Sequence, residues 1–134
     1  RVWAAVHTLR TLGDRLAADG SITFISGVLA DRPNAYGTAI LASASAAMEA
    51  LARGLVLELA PRRVNTVSPG TTDTPLLART LGDGRDAYVN ALKEKLPLHR
   101  LGTADEVGAA VVFLMSNGFM NGETIHIDGG ARLV

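Results

Sequence analysis

The sequence predicts an α/β fold built on a parallel sheet, and three observations carry that prediction. Short β-branched stretches alternate with helical patterns, and the connections between successive strands are long enough to be crossovers. The first strand, Ile22-Thr-Phe-Ile25, is almost continuously apolar, as a strand covered on both faces requires. Three such strands make a thin sheet, so further strands are expected beside them.

Over residues 2–18 the apolar side chains Val2, Val6, Leu9, Leu12 and Leu16 recur at three- and four-residue spacing, which predicts a helix with one buried face, closed by Asp19-Gly20. Residues 21–26 are short, β-branched and aromatic, a strand running into a turn at Gly27. After a loop carrying Asp31, Pro33 and Asn34, a long helix is predicted over residues 38–60. Its stripe is Leu41, Ala44, Met48, Leu51, Leu55 and Leu59, and Pro61 ends it. Small residues from Ala42 to Ala47 crowd its first half, a surface that lets another backbone approach closely. Residues 64–67 form a second strand, which Ser68-Pro69-Gly70 stops. Asp73-Thr74-Pro75 starts a helix, with a capping oxygen followed by proline where the missing N–H costs nothing. A short polar helix follows over residues 85–95. Thr103-Ala-Asp-Glu106 has the spacing of a capping box and opens an apolar helix over residues 107–116. A third strand over residues 123–127 ends at Asp128-Gly129-Gly130.

Composition narrows the function classes. The 134 residues are 48% apolar and 19% charged, ordinary globular values for one domain. Thirteen basic and thirteen acidic side chains cancel, which argues against a nucleic-acid or anionic-membrane partner. No uninterrupted apolar run approaches the roughly 18 residues of a membrane span; the longest lies over residues 108–115. The absence of cysteine removes disulfides, thiolate metal sites and thiol nucleophiles, and leans the expected location to the cytoplasm. His7, His99 and His126 have no second histidine or carboxylate at ligand spacing, so no metal site is expected. Between Ile125 and Ile127 on a strand, His126 reads as a core or edge histidine. Arg62-Arg63 follows a helix C-terminus, where the dipole favours cations. The chain opens on Arg1-Val-Trp, without an initiator methionine and directly in helical pattern, so an upstream segment is expected.

Four stretches carry a family resemblance in order and spacing: Ser21-Ile-Thr-Phe-Ile-Ser-Gly27; Leu57-Glu-Leu-Ala-Pro61 running into Val64-Asn-Thr-Val-Ser-Pro-Gly70; Pro97-Leu-His-Arg-Leu-Gly-Thr-Ala-Asp-Glu106; and Asn121-Gly-Glu-Thr-Ile-His-Ile-Asp-Gly-Gly130. Together they resemble the C-terminal half of a short-chain dehydrogenase/reductase. The resemblance implies a doubly wound, Rossmann-like parallel sheet, with residues 1–134 as the C-terminal part of a single NAD(P)-binding domain whose N-terminal half lies outside this chain. It implies NAD or NADP as cofactor, a small-molecule carbonyl or alcohol substrate, and a homodimer or homotetramer. The turn after the second strand stands at the carboxyl edge of the sheet, where open α/β proteins hold ligands. By resemblance Pro69, Gly70, Thr72 and Thr74 flank the nicotinamide and pyrophosphate.

The chain departs from the family at its chemistry. The family sets a catalytic tyrosine and lysine four residues apart on the long helix, one turn apart and on one face. Here those positions fall on Leu41 and Ser45, the catalytic serine position falls on Gly27, and the helix asparagine falls on Arg1. Leucine has no proton to give, and serine carries no charge. Ser26 and Tyr36 are the substitute catalytic candidates, although Ile40 rather than lysine stands four residues after Tyr36. Two functions follow as expectations: an oxidoreductase with an atypical active site, or a non-catalytic cofactor-binding or interaction relative. General acid catalysis, worth roughly 10²–10⁴-fold, separates them.

Overall fold

A computed structural model describes residues 1–35 and 37–134. The described residues form α1 (Val2–Leu12), β1 (Ser21–Ile25), α2 (Ala39–Glu58), β2 (Arg63–Pro69), α3 (Pro75–Leu81), α4 (Arg85–Lys95), α5 (Ala104–Ser116) and β3 (Thr124–Ile127). The strands lie side by side in the order β1-β2-β3, all parallel, with Ile22 opposite Val64 and Val67 opposite Ile125. This is the predicted doubly wound α/β layering. On one face Val64 packs with Ala52 and Leu55 of α2, joined by Ile22 and Phe24. On the other face Val67 packs with Ala110 and Leu114 of α5, joined by Ile125 and Ile127. The strand order advances in one direction while α2 and α5 cover opposite faces. The two crossovers therefore have opposite hands, and one departs from the right-handed rule.

Boundaries move for local reasons. The first helix stops at Leu12 rather than near residue 18, because Gly13 takes φ 46° and leads into a single 3₁₀ turn. Ser68-Pro69 does not stop β2. Pro69 pairs with Ile127, and the next N–H in the chain, that of Gly70, continues the ladder by donating to the Ile127 carbonyl at 3.0 Å.

α2 is the long apolar helix of the chain, 20 residues with length and composition enough to cross a membrane, and so exceeds the run at residues 108–115. It buries Ser45, Met48, Ala52 and Leu55, and Leu41 is instead 55% exposed. The buried stripe is thus rotated from the predicted one at its N-terminal end. Arg62 and Arg63 also act elsewhere than predicted. Arg62 donates to the Leu16 and Ala17 carbonyls, while Arg63 donates to Leu114, Met115 and Met120, closing the end of α5 rather than that of α2.

The predicted caps form. Thr74 caps α3 by accepting from the Leu77 N–H. Thr103 Oγ1 accepts from the Glu106 N–H at 3.2 Å while Glu106 Oε2 accepts from the Thr103 N–H at 2.9 Å. The Arg100 guanidinium hydrogen-bonded to Glu106, together with that Thr103 N–H, holds the Glu106 carboxyl down to about 2.

Candidate functional site

Parallel pairing sends β1 and β2 out of the sheet at the same edge. Ile25 stands opposite Val67, and the Ser26 N–H donates to the Val67 carbonyl at 2.8 Å. Gly27 turns the chain away from β1, and Gly70 turns it away from β2. α2 begins above this edge and presents Leu41 and Ser45, one helical turn apart, to the same space. These elements surround a cavity of about 550 Å³ lined by Ser26, Gly27, Leu41, Ser45, Pro69, Gly70 and Thr71. Arg32, Asn34 and Thr38 wall it from the loop before α2, and Tyr88, Leu92 and Lys95 wall it from α4.

Ser26 is buried, and its hydroxyl is directed at α2, 2.6 Å from Glu49 Oε1 and 3.0 Å from the Ser45 carbonyl. Its proton is therefore occupied by the helix. Arg1 reaches the same corner. One guanidinium nitrogen donates to the Ser26 carbonyl and to Ser45 Oγ, each at 3.3 Å. A cation thus stands against the helix position that carries serine. Tyr36 lies outside the described residues.

Position 27 has no structural need of glycine. Its φ of 169° is ordinary extended backbone, and a Cβ there would meet Ser45 Oγ at 3.6 Å and the Pro69 carbonyl at 3.9 Å, normal contact distances. Position 70 is the opposite case. A Cβ on Gly70 would come within 2.8 Å of the Asp128 Cα and 3.1 Å of its carbonyl oxygen, so the missing side chain makes room for the β3 turn. Pro69 and Gly70 line the cavity. Thr72 and Thr74 stand just beyond it: the Thr72 hydroxyl donates to the Gly70 carbonyl at 3.1 Å, and Thr74 caps α3.

Asp128 is a residue that sequence reasoning treated only as a strand end. Its buried carboxylate accepts from the Gly130 N–H at 3.0 Å, the Arg132 N–H at 3.1 Å and the Arg132 side chain at 2.9 Å. Burial alone would push this carboxyl up, but the three donors together hold it below its ordinary value. Asp128 thereby fixes the turn against which Gly70 packs, with Gly129 and Gly130 at φ 60° and 85°. An aspartate before two glycines is the signal that points to it. Arg1 and Lys95 carry none, since their roles depend on elements distant in sequence. His126 is tied to the loop before α2, with Nε2 3.0 Å from Asp31 Oδ2.

Comparison with known proteins agrees with this geometry. A family model described as enoyl-(acyl carrier protein) reductase matches residues 1–132. The chain is 40% identical over 113 residues to the short-chain dehydrogenase/reductase ATR9 of Stachybotrys chlorohalonatus, covering 84% of this chain and 44% of that protein. It is 37% identical over 119 residues to the 3-oxoacyl-[acyl-carrier-protein] reductase FabG of Salmonella typhimurium, covering 86% and 47%. The crystal structure of a small-chain dehydrogenase in complex with NADPH superposes with a TM-score of 0.92 at 38% identity, covering 98% of this chain and 60% of that one. The chain spans about half the length of these curated relatives. A family model matched over nearly every residue, and a fold shared at that identity, mean that the chain belongs to the short-chain dehydrogenase/reductase family.

Proposed function

We propose that the protein is an NAD(P)-dependent oxidoreductase acting on a carbonyl or alcohol substrate, with residues 1–134 forming the C-terminal part of a single cofactor-binding domain. The carrying observation is the cavity at the carboxyl edge of the sheet, where Gly27, Pro69 and Gly70 bring main chain, without bulky side chains, to one surface. That surface suits a flat ring, and a bound nicotinamide cofactor supplies hydride there. Pro69 and Gly70 are the residues to hold the ring. Thr72 gives its hydroxyl proton to Gly70, so Thr72 and Thr74 offer the cofactor chiefly main chain. The open edge of β1 and the exposed Val112 and Phe113 on α5 support a domain extending beyond these strands. Exposed Ile40 and Leu57 on α2 support pairing into a homodimer or homotetramer, and the cysteine-free composition supports a cytoplasmic location.

Carbonyl reduction also needs a proton at the substrate oxygen. Leu41 has none, and Ser26 directs its proton into α2. The sequence contains two tyrosines: Tyr88 lines the cavity, and Tyr36 is the candidate from sequence. Carbonyl-dependent loss of NAD(P)H absorbance in the full protein, compared with Tyr36→Phe and Tyr88→Phe, identifies the acid. The phenylalanine variant that loses roughly 10²–10⁴-fold in kcat marks it. A flat trace for the unsubstituted protein over a broad carbonyl panel, with NAD(P)H still bound, overturns the oxidoreductase reading. It leaves the second one, a cofactor-binding relative without catalysis, which Leu41 and Ser45 on the cavity wall favour. The triple variant Gly27→Ser, Leu41→Tyr, Ser45→Lys then raises turnover, because position 27 has room for the added side chain.

A further inference from the structure

The charges around the cavity are one-sided. Among the described residues that line it, Arg1, Arg32 and Lys95 are cationic and none is aspartate or glutamate, although the chain as a whole has thirteen of each sign. The three come from different places in the sequence: the residue before α1, the loop before α2, and the end of α4. Three arginines elsewhere are matched, Arg85 with Asp73, Arg100 with Glu106 and Arg132 with Asp128. Among the described residues the cavity's cations are in no ion pair, a condition they share with other arginines such as Arg53 and Arg79, so it is their convergence on one cavity that sets them apart. Arg1 donates to neutral acceptors, the Ser26 carbonyl and the Ser45 hydroxyl, with the Glu49 carboxylate one hydrogen bond further back behind Ser26.

A helix C-terminus attracts lysine, and that accounts for Lys93 and Lys95 on α4 equally well. It accounts neither for Arg32 nor for the absence of aspartate and glutamate side chains from the described lining residues. Like charges gathered around one partly apolar cleft raise the local concentration of anions and favour a ligand that neutralises them.

We propose that the ligand taken into this cavity beside the cofactor is a carbonyl compound carrying an anionic group, a carboxylate or a phosphate, received by Arg32 and Lys95. Arg1 adds the field at the inner corner. The proposal rests on the oxidoreductase reading for the word carbonyl, but the anion preference is measurable without turnover.

The test uses the full protein saturated with NADPH and a series of stable oxo acids, 4-oxopentanoate to 7-oxooctanoate, each against its own methyl ester. Binding is read by saturation-transfer NMR, and turnover by NADPH absorbance. At one chain length the acid binds roughly tenfold more tightly than its ester, the size that a charge-assisted hydrogen bond reaches in a partly closed site. Arg32→Gln and Lys95→Gln each lower that acid-to-ester ratio several-fold. Both residues are exposed, so the variants fold. Equal binding of acid and ester at every length, or a ratio that neither variant moves, overturns the proposal. If the variants weaken NADPH binding and leave the ratio intact, the cations serve the cofactor's phosphates, and the proposal fails. If acid preference persists while no carbonyl is reduced, the anion site stands and only the oxidoreductase reading falls.

Discussion

The two ends of β2 are built on opposite terms. At its start the side chains of Arg63 and Asn65 find partners within the chain. Asn65 is fully buried, with Nδ2 donating to the Met120 carbonyl at 2.8 Å and Oδ1 accepting from the Glu123 N–H at 3.0 Å. Asn121 accepts from the Val64 N–H, and Arg63 satisfies three carbonyls around the end of α5. At the other end, beyond Pro69, the chain opens into a cavity whose cations are in no ion pair among the described residues and whose wall carries an exposed leucine. The first region is a scaffold in which Arg63, Asn65 and Asn121 tie the strand to α5 and to the start of β3. The second is a surface on which three cations from separate elements converge.

The sharpest way to break this comparison is to truncate one leucine on each side. Leu114 is fully buried between α5 and the sheet, so Leu114→Ala should cost about 2–5 kcal/mol of unfolding free energy through lost burial and a residual cavity. Leu41→Ala, at the half-open cavity, should stay within about 0.5 kcal/mol. Equilibrium denaturation of the two variants measures both, and similar losses would erase the distinction between scaffold and site.

Gly70→Ala probes the border between them. Its Cβ meets Asp128 main chain rather than the end of a flexible side chain, so the β3 turn must shift. The expected loss is about 1–3 kcal/mol, the usual scale of overpacking. Gly27→Ala, where contacts are ordinary, should be close to neutral in the same denaturation experiment.

The smallest effect concerns the α5 cap. Thr103→Ala removes the hydroxyl that receives the Glu106 N–H and should cost about 1 kcal/mol. The Glu106 carboxyl is lowered from 4.5 to about 2, so the folded state favours its ionised form. The stability this contributes is present above the ordinary glutamate range and is lost as pH falls from about 4.5 towards 2. Denaturation midpoints measured across that window should fall less steeply in Glu106→Gln than in the unsubstituted protein.

Elements with strong local signals are legible in the sequence itself. The Thr103 to Glu106 box, the Thr74-Pro75 start and the β-branched strands appear where periodicity and capping chemistry put them, because each is decided within a few residues. The site is legible in part. Pro69 and Gly70 do line the cavity, but the reason for glycine at 70 is the approach of Asp128, fifty-eight residues away. The α2 stripe rotated because the sheet accepted Ser45 and left Leu41 outside, a choice that depends on how α2 lies across β1 and β2 rather than on helical period alone.

By itself, then, the sequence determined the alternation of elements, the helix caps and the residue types, glycine, leucine and serine, at positions 27, 41 and 45, which the resemblance aligns with the family's proton chemistry. These follow from residue identity and short-range spacing, which need no knowledge of what packs where. Only the tertiary structure decided that α2 and α5 take opposite faces, that Arg63 closes α5, and that Arg1, Arg32 and Lys95 gather at one cavity with no aspartate or glutamate among its described lining residues. Those are matters of which distant surfaces meet. A charge's neighbours are set by the packing of the whole chain, and no local pattern records them.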